Sequence, residues 1–361
     1  MKKFYCSVTA ILLAGMLSGC FPSGETSLDG DIGNVSPEIS KIVSENILPS
    51  ENIPSEVSKI NVKVMEWDTA VLDEMFLKEK DYLNHYEYPS DDFSNGNYHA
   101  YMDERENGDA YWLVYDQGRL TSEVRAKLNQ YGYGTLMSSL ETFDFGGYFD
   151  DKEIELFSSS DAVSRANKTL KKLGIANLAE PDVYALTADK ANKLLREKYG
   201  DEYENWTADN EIYILEYSQE YEEIPVTANF AAGGESGGHG SFFIGSRIAV
   251  VVTKNEVLSI NGKNLFSSEY SAGEKVSLNC SMETAVKTAA EYYNNFAFPG
   301  VDIKITDCKL VYVPFDRINE KEFTLIPMWM ATAVLNYNDG RLINPCDYLF
   351  IDAQTGEIPI W

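Results

Sequence analysis

Two amphipathic segments in this chain begin alike and are followed by strand-like runs in the same order. That pattern restricts the folded part to a repeated α+β unit. One segment reads Asp161-Ala162-Val163-Ser164-Arg165-Ala166 and the other Thr284-Ala285-Val286-Lys287-Thr288-Ala289. In the first, Ala162, Val163, Ala166, Leu170 and Leu173 recur at the helical period, with Ser159 or Ser160 as N-cap and Gly174 as the stop. In the second, Ala285, Val286, Ala289, Tyr293 and Phe296 share a face, Ser281 caps the start and Pro299-Gly300 end it. Serine suits the caps because its hydroxyl accepts from a first-turn N–H that has no helical partner.

The strand-like runs pair off in order. Ile212–Leu215 matches Leu310–Val313, Ile224-Pro225-Val226 matches Ile326-Pro327-Met328, and Ile248–Ile260 matches Tyr348–Ile360. The last two runs read as hairpins turning at Lys254-Asn255 and Thr355-Gly356, where Asn and Gly tolerate positive φ. The first copy carries an extra helix, Thr187 to Tyr199, closed by Gly200. Upstream, Val62-Lys63-Val64 reads as a strand, and Thr69–Leu83 as a helix with Val71, Leu72, Met75 and Phe76 inward. Tyr98–Met102 and Tyr111–Leu120 then form a hairpin across Asn107-Gly108.

The N-terminus carries the most specific motif. Met1-Lys2-Lys3 is basic, Phe4 to Met16 is apolar and uncharged, and Leu17-Ser18-Gly19 leads into Cys20. Basic, apolar and small-residue regions in that order are those of a secretory signal peptide, and the run falls short of the roughly 20 residues that span a bilayer. A cysteine directly after Leu-Ser-Gly is what lipoprotein signal peptidase requires, with diacylglycerol on its thiol. Residues 1–19 therefore read as a lipoprotein signal peptide and Cys20 as the lipid attachment site. Residues 20–60, rich in Ser, Glu, Asn, Pro and Gly, read as a disordered tether, with one short apolar patch at Ile39–Ile47 suited to a transient helix. The remaining chain divides into an N-terminal α+β domain over 61–156 and two repeated units over 157–270 and 271–361.

Charge narrows the partners. Removal of residues 1–19, with Lys2 and Lys3, takes the formal net charge from −27 to −29. That balance argues against nucleic acid and against a polybasic membrane contact as partners. After Cys20 is lipidated, Cys280, Cys308 and Cys346 allow at most one disulfide, so this is no disulfide framework.

No catalytic residue is expected. Gly234-Glu235-Ser236-Gly237-Gly238 fits G-x-S-x-G, yet it lies in a glycine loop, and a nucleophile elbow needs a strand before the serine and a helix after it. The only later histidine, His239, is too close to serve as base; His85 and His99 lie in acidic, Tyr-rich stretches without a protease signature. Three scattered histidines and no Cys-x-x-Cys or His-x-x-x-His spacing point to no metal site. Asp91–Asn97 lacks the alternating ligands of a calcium loop, and Asp144, Asp150, Asp151 and Glu153 read as a solvated face. Trp67, Trp112, Trp206, Trp329 and Trp361 do not cluster in sequence, and most tyrosines fall where packing accounts for them. No cofactor is implied.

Several short motifs resemble a known family. Tyr217–Tyr221 running to Pro225, the strand Arg247–Ile260, Leu310-Val311-Tyr312, Ile326-Pro327-Met328-Trp329 and the closing Tyr348–Ile358 resemble the YycI and YycH regulators and, more broadly, PepSY-like domains. The resemblance covers residues 158–361. It implies tandem PepSY-like units, a helix packed on antiparallel sheet, in a non-catalytic extracytoplasmic protein that binds and regulates an envelope partner such as a sensor kinase ectodomain. The lipid anchor in place of a transmembrane helix, and the added N-terminal domain, depart from that pattern. The alternative is a surface module that binds polysaccharide, with a small-molecule or glycan ligand. Either would sit outside the cytoplasm, on the outer face of the cytoplasmic membrane in a Gram-positive cell, and neither reading singles out particular partner-binding residues. Cys20→Ala should leave an unprocessed precursor that takes up no labelled fatty acid; normal labelling of that variant would exclude the lipoprotein assignment.

Overall fold

Stretches rich in Val, Ile and Tyr pair into antiparallel sheets, as β-branched and aromatic residues favour. The computed structural model describes residues 42–44, 53–81, 83–89, 97–103, 111–116, 118–124, 153–199, 206–228, 245–295, 301–319, 321–337 and 346–359. In chain order these form β1 (Ile42–Ser44), β2 (Glu56–Val64), α1 (Thr69–Leu72) continuing as a π-helical turn (Asp73–Leu77), β3 (Asn84–Pro89), β4 (Asn97–Met102), β5 (Tyr111–Asp116) and β6 (Arg119–Val124). Next come α2 (Ser159–Lys172), β7 (Asp182–Leu186), α3 (Ala188–Tyr199), β8 (Ile212–Tyr217), β9 (Glu220–Tyr221) and β10 (Ile224–Pro225). The chain continues through β11 (Arg247–Thr253), β12 (Val257–Lys263), β13 (Phe266–Ser277), α4 (Met282–Asn295), β14 (Val301–Asn319), β15 (Glu322–Tyr337) and β16 (Cys346–Asp352).

An eight-stranded sheet has the order β3-β4-β5-β6-β12-β11-β8-β7, with every pair antiparallel. Helix α2 covers one of its faces. The Ser158 hydroxyl accepts from Asp161 N and caps the helix, one residue ahead of the serines expected from the sequence. Gly174 follows at φ 79°, the left-handed stop that a residue without Cβ adopts at no steric cost. Ala162, Ala166 and Leu170 are wholly buried against Tyr213, Leu215, Ile248 and Val250. Two alanines on that face let the helix approach the sheet closely, and Leu170 alone contributes about 2 kcal/mol by leaving water. α1 and the π-helical turn after it close the same core, with Leu72 and Phe76 buried and Met75 half-buried.

The second sheet runs β1-β14-β15-β2-β13, with β16 also paired to β15. β15 is long enough to share one edge between two strands: Met328–Val334 pairs with β16, and Glu322–Leu325 with β2. Helix α4 buries Ala285, Ala289 and Tyr293 against Ile303, Ile305, Trp329, Ala331 and Ile351. Ser281 caps this helix through its bond from Thr284 N at 3.2 Å. The Trp329 indole donates to Cys280 O at 2.8 Å, and the Tyr293 hydroxyl to Asp347 Oδ2 at 2.9 Å, so both rings meet their polar needs inside the layer. Beyond the helix the β14–β15 ribbon serves two further cores, one around Tyr312, Phe323 and Ile60 and the other around Val311, Val313, Met328 and Phe350.

The fold is therefore mixed α and β with antiparallel sheets, and several expectations change. The N-terminal segment is not a sheet of its own. β3 to β6 extend the eight-stranded sheet through β6–β12 pairing, whereas β2 lies in the other sheet between β15 and β13. One compact unit runs from Ile39 to Trp361, so the sheets cross the boundaries expected at residues 61, 157 and 271. The stretch read as a tether ends earlier than residue 60: Glu56–Ile60 is strand, and Ile42–Ser44 pairs parallel to Ile303–Ile305 rather than forming a helix. The strand matching also shifts. β8 lies directly beside β11, whereas β15 intervenes between β14 and β16, so Ile212–Leu215 and Leu310–Val313 do not hold equivalent places. Pro225 lies in the two-residue strand β10, and Pro327 in the middle of β15. A buried strand of either sheet shows the same run of apolar residues, so short strand matches cannot decide which neighbours are equivalent. The Lys254-Asn255 turn joins β11 to β12, but after β16 the chain closes a turn (Gly356 N to Asp352 O, 2.8 Å) with no returning strand among the described residues.

Gln219 ties the two sheets. It lies between β8 and β9 and is 0% exposed. Its Oε1 accepts from Phe266 N at 2.7 Å and Ser246 Oγ at 3.1 Å, while its Nε2 donates to Phe266 O at 2.8 Å and Ala176 O at 3.4 Å. The amide thus pairs with Phe266, the first residue of β13, as a neighbouring strand would. Gln219→Ala should cost about 3 kcal/mol in chemical denaturation, because it orphans the buried N–H and C=O of Phe266. Gln219→Glu should be similarly unstable at neutral pH and partly recover on acidification. Burial raises the new carboxyl's folded pKa, and only the protonated form donates to Phe266 O.

Candidate functional site

Several sequence candidates lie outside the described residues: Cys20, Asp91–Gly96, Asp144, Asp150, Asp151, Ser236 and His239. Glu153 is described, and it is more than a solvated charge. Its carboxylate accepts from Ser159 N at 3.0 Å, from the Ser159 hydroxyl and from the Tyr213 hydroxyl at 3.2 Å. The Ser159 hydroxyl and backbone bonds hold its pKa below the ordinary carboxylate value. An acid beside the start of α2 satisfies free N–H groups and complements the helix dipole. Among the described helices none is long and apolar enough to cross a membrane.

The two described histidines come together. β3 pairs with β4 so that His85 faces Tyr101 and Glu87 faces His99. Alternate residues of a strand share a face, so His85 and Glu87 stand beside Tyr101 and His99. His85 Nε2 lies 3.3 Å from His99 Nδ1, and His99 Nδ1 lies 3.8 Å from Glu87 Oε1. The rings are stacked, His85 on Tyr101 at 4.3 Å and 9°, His99 on Tyr115 at 5.0 Å and 23°. Tyr115 is buried in the core beneath α1, and burial, then the neighbouring Tyr101, raises its pKa. A stack of rings therefore starts in the core and ends at solvent with His85. No motif marks this grouping, since His85 and His99 are 14 residues apart and only the register of β3 on β4 aligns them.

The sheets also present open edges. β13 terminates the second sheet and pairs only with β2 among the described strands. Its residues 268–275 are all exposed, and Tyr270, 47% exposed, stands edge-on to Tyr221 with ring centroids 4.9 Å apart. The register slips between Phe266 and Tyr270 and again between Ala272 and Lys275. β7 and β3 end the eight-stranded sheet, and each is only five or six residues long. Short, irregular and charged edges discourage uncontrolled pairing.

The three downstream cysteines are all thiols. Cys280 and Cys308 belong to the core under α4, and burial raises both thiols, Cys308 to about 12. Cys346, at the start of β16, is half-buried.

No family model matches the chain, and no curated protein matches it significantly. The crystal structure of an uncharacterized protein from Eubacterium rectale is similar in fold, with a TM-score of 0.62 and 17% identity over 88% of this chain and 90% of that one. At that identity the likeness concerns the fold alone. The C-terminal domain of YpeB from Bacillus megaterium aligns over 82% of this chain and 96% of its own with 12% identity, but at a TM-score of 0.34 it carries no argument. In the native protein, alkylation at pH 8 should modify Cys346 well before Cys280 and Cys308, whose thiolates are suppressed by burial. Mass spectrometry that finds all three modified at one rate, or any pair joined by a disulfide, would contradict this packing.

Proposed function

We propose that the chain is a non-catalytic extracytoplasmic lipoprotein, built of PepSY-like units, that binds and regulates an envelope protein such as a sensor kinase ectodomain. The observation that carries the reading is the edge of β13. Eight consecutive exposed residues, 268–275, lie on a strand with one described partner, and Tyr270 projects there as a large, half-wet aromatic. A partner segment laid along such an edge gains main-chain hydrogen bonds for affinity and an aromatic contact for specificity. The lipid on Cys20 would hold this edge within reach of membrane proteins. Resemblance to YycI and YycH over residues 158–361 supports a regulatory role rather than a passive one.

Charge shapes the encounter. With a formal net charge of −27 for the whole chain, the protein favours a basic partner surface, which accelerates association more than it deepens affinity. Crosslinking in intact cells should recover an envelope protein with wild-type chain and far less with Tyr270→Lys, whose melting temperature should stay near wild type because the side chain is exposed. Association of the purified partner should slow as salt rises, with dissociation little changed. If the ectodomain captures a glycan on an array and recovers no protein from crosslinked cells, the regulatory reading fails and the polysaccharide-binding one replaces it.

A further inference from the structure

We propose that His85, Glu87 and His99 form a binding site for a divalent transition-metal ion, zinc(II) by preference, at the outer rim of β3 and β4. The inference is independent of the partner-binding reading. It rests on donor geometry. Zinc bound to imidazoles at about 2.0–2.1 Å in a tetrahedron holds its nitrogens about 3.3 Å apart. His85 Nε2 and His99 Nδ1 stand 3.3 Å apart. Glu87 Oε1, 3.8 Å from His99 Nδ1, must come roughly 0.5 Å closer to that nitrogen to match the donor spacing of a tetrahedral site. That carboxylate is exposed, so a small rotation is open to it. All three donors already lie within 4.8 Å of one another.

Preorganisation supports the same conclusion. The imidazoles are held by their stacking on Tyr101 and Tyr115, and Tyr115 is anchored in the core. An ion therefore meets rings already in place and does not have to order two free side chains, which lowers the entropic cost of binding. Two imidazoles and one carboxylate suit zinc, copper(II) or nickel, whereas calcium and magnesium require sets of oxygen donors. Three protein ligands leave a fourth position for water or for a group from a partner.

The test is titration of the full mature chain with zinc(II) alone, followed by calorimetry and by competition with a chromogenic chelator. One zinc per chain should bind at this site, with calcium and magnesium failing to compete. His85→Asn and His99→Asn should each weaken binding roughly tenfold or more, while His239→Asn leaves it unchanged. Melting curves of the metal-free variants should stay close to wild type, since His85 is exposed and His99 half-buried. Cobalt(II) in place of zinc should give visible absorption of tetrahedral strength in the wild type and lose it in His99→Asn. Absence of saturable zinc binding, or undiminished stoichiometric binding by the His85→Asn/His99→Asn double variant, would overturn the proposal.

Discussion

A buried primary amide has no water to turn to, and the organisation of this protein depends on how one such group is satisfied. Gln219 uses both acceptor and both donor positions of its amide: on Phe266 twice, on Ser246 and on Ala176. Those partners come from the loop after α2, the approach to β11 and the first residue of β13. The eight-stranded sheet and the second sheet are therefore held where the chain passes from one to the other. Each bond is worth only about 1 kcal/mol net, yet leaving any of these groups unpaired in the interior costs more than the bond contributes. A fully satisfied network is cohesive for that reason.

Around this tie, the two helices solve the same packing problem in the same way. Ala162 and Ala166 on α2, and Ala285 and Ala289 on α4, form smooth strips that lie close on Tyr- and Ile-rich sheet faces. A larger side chain bounds each strip at its far end, Leu170 on one and Tyr293 on the other. The sheets beneath differ. β7, β8, β11 and β12 are short strands, whereas β14 and β15 make a ribbon that outruns its helix and reaches β2 and the β9–β10 hairpin. The ribbon bends at register shifts near Ile305 and Pro314, and bulges of this kind increase local twist and redirect a strand. It thereby presents faces to three cores.

Strong acidity and open edges act together. Like charges keep exposed strands of different copies apart, and irregular register on β13 blunts its edge further, so the exposed row is guarded against pairing between copies. The His85–His99 pair occupies the opposite kind of edge, short and aromatic, where rings rather than charges define the surface.

The features legible in the amino-acid order are local. The cap serines at 158 and 281, within a residue of where their spacing placed them, the stop at Gly174, the apolar faces of α2 and α4 and the turn at Lys254-Asn255 depend on neighbours within a few residues. Helix periodicity and turn chemistry encode such features directly. The stretch read as a lipoprotein signal ahead of Cys20 is a linear pattern of the same kind, and the proposal built on it needs no fold. Strand neighbours emerge only on folding: β2 joins β15 while β3 to β6 join β12, and Pro225 and Pro327 occupy unlike elements. Apolar alternation records that a strand is buried but not against what. The same limit hid the pairing of His85 with His99 and the role of Gln219. Both arise from register and chain crossing, where residues distant in sequence are brought within hydrogen-bonding distance by the burial of everything around them.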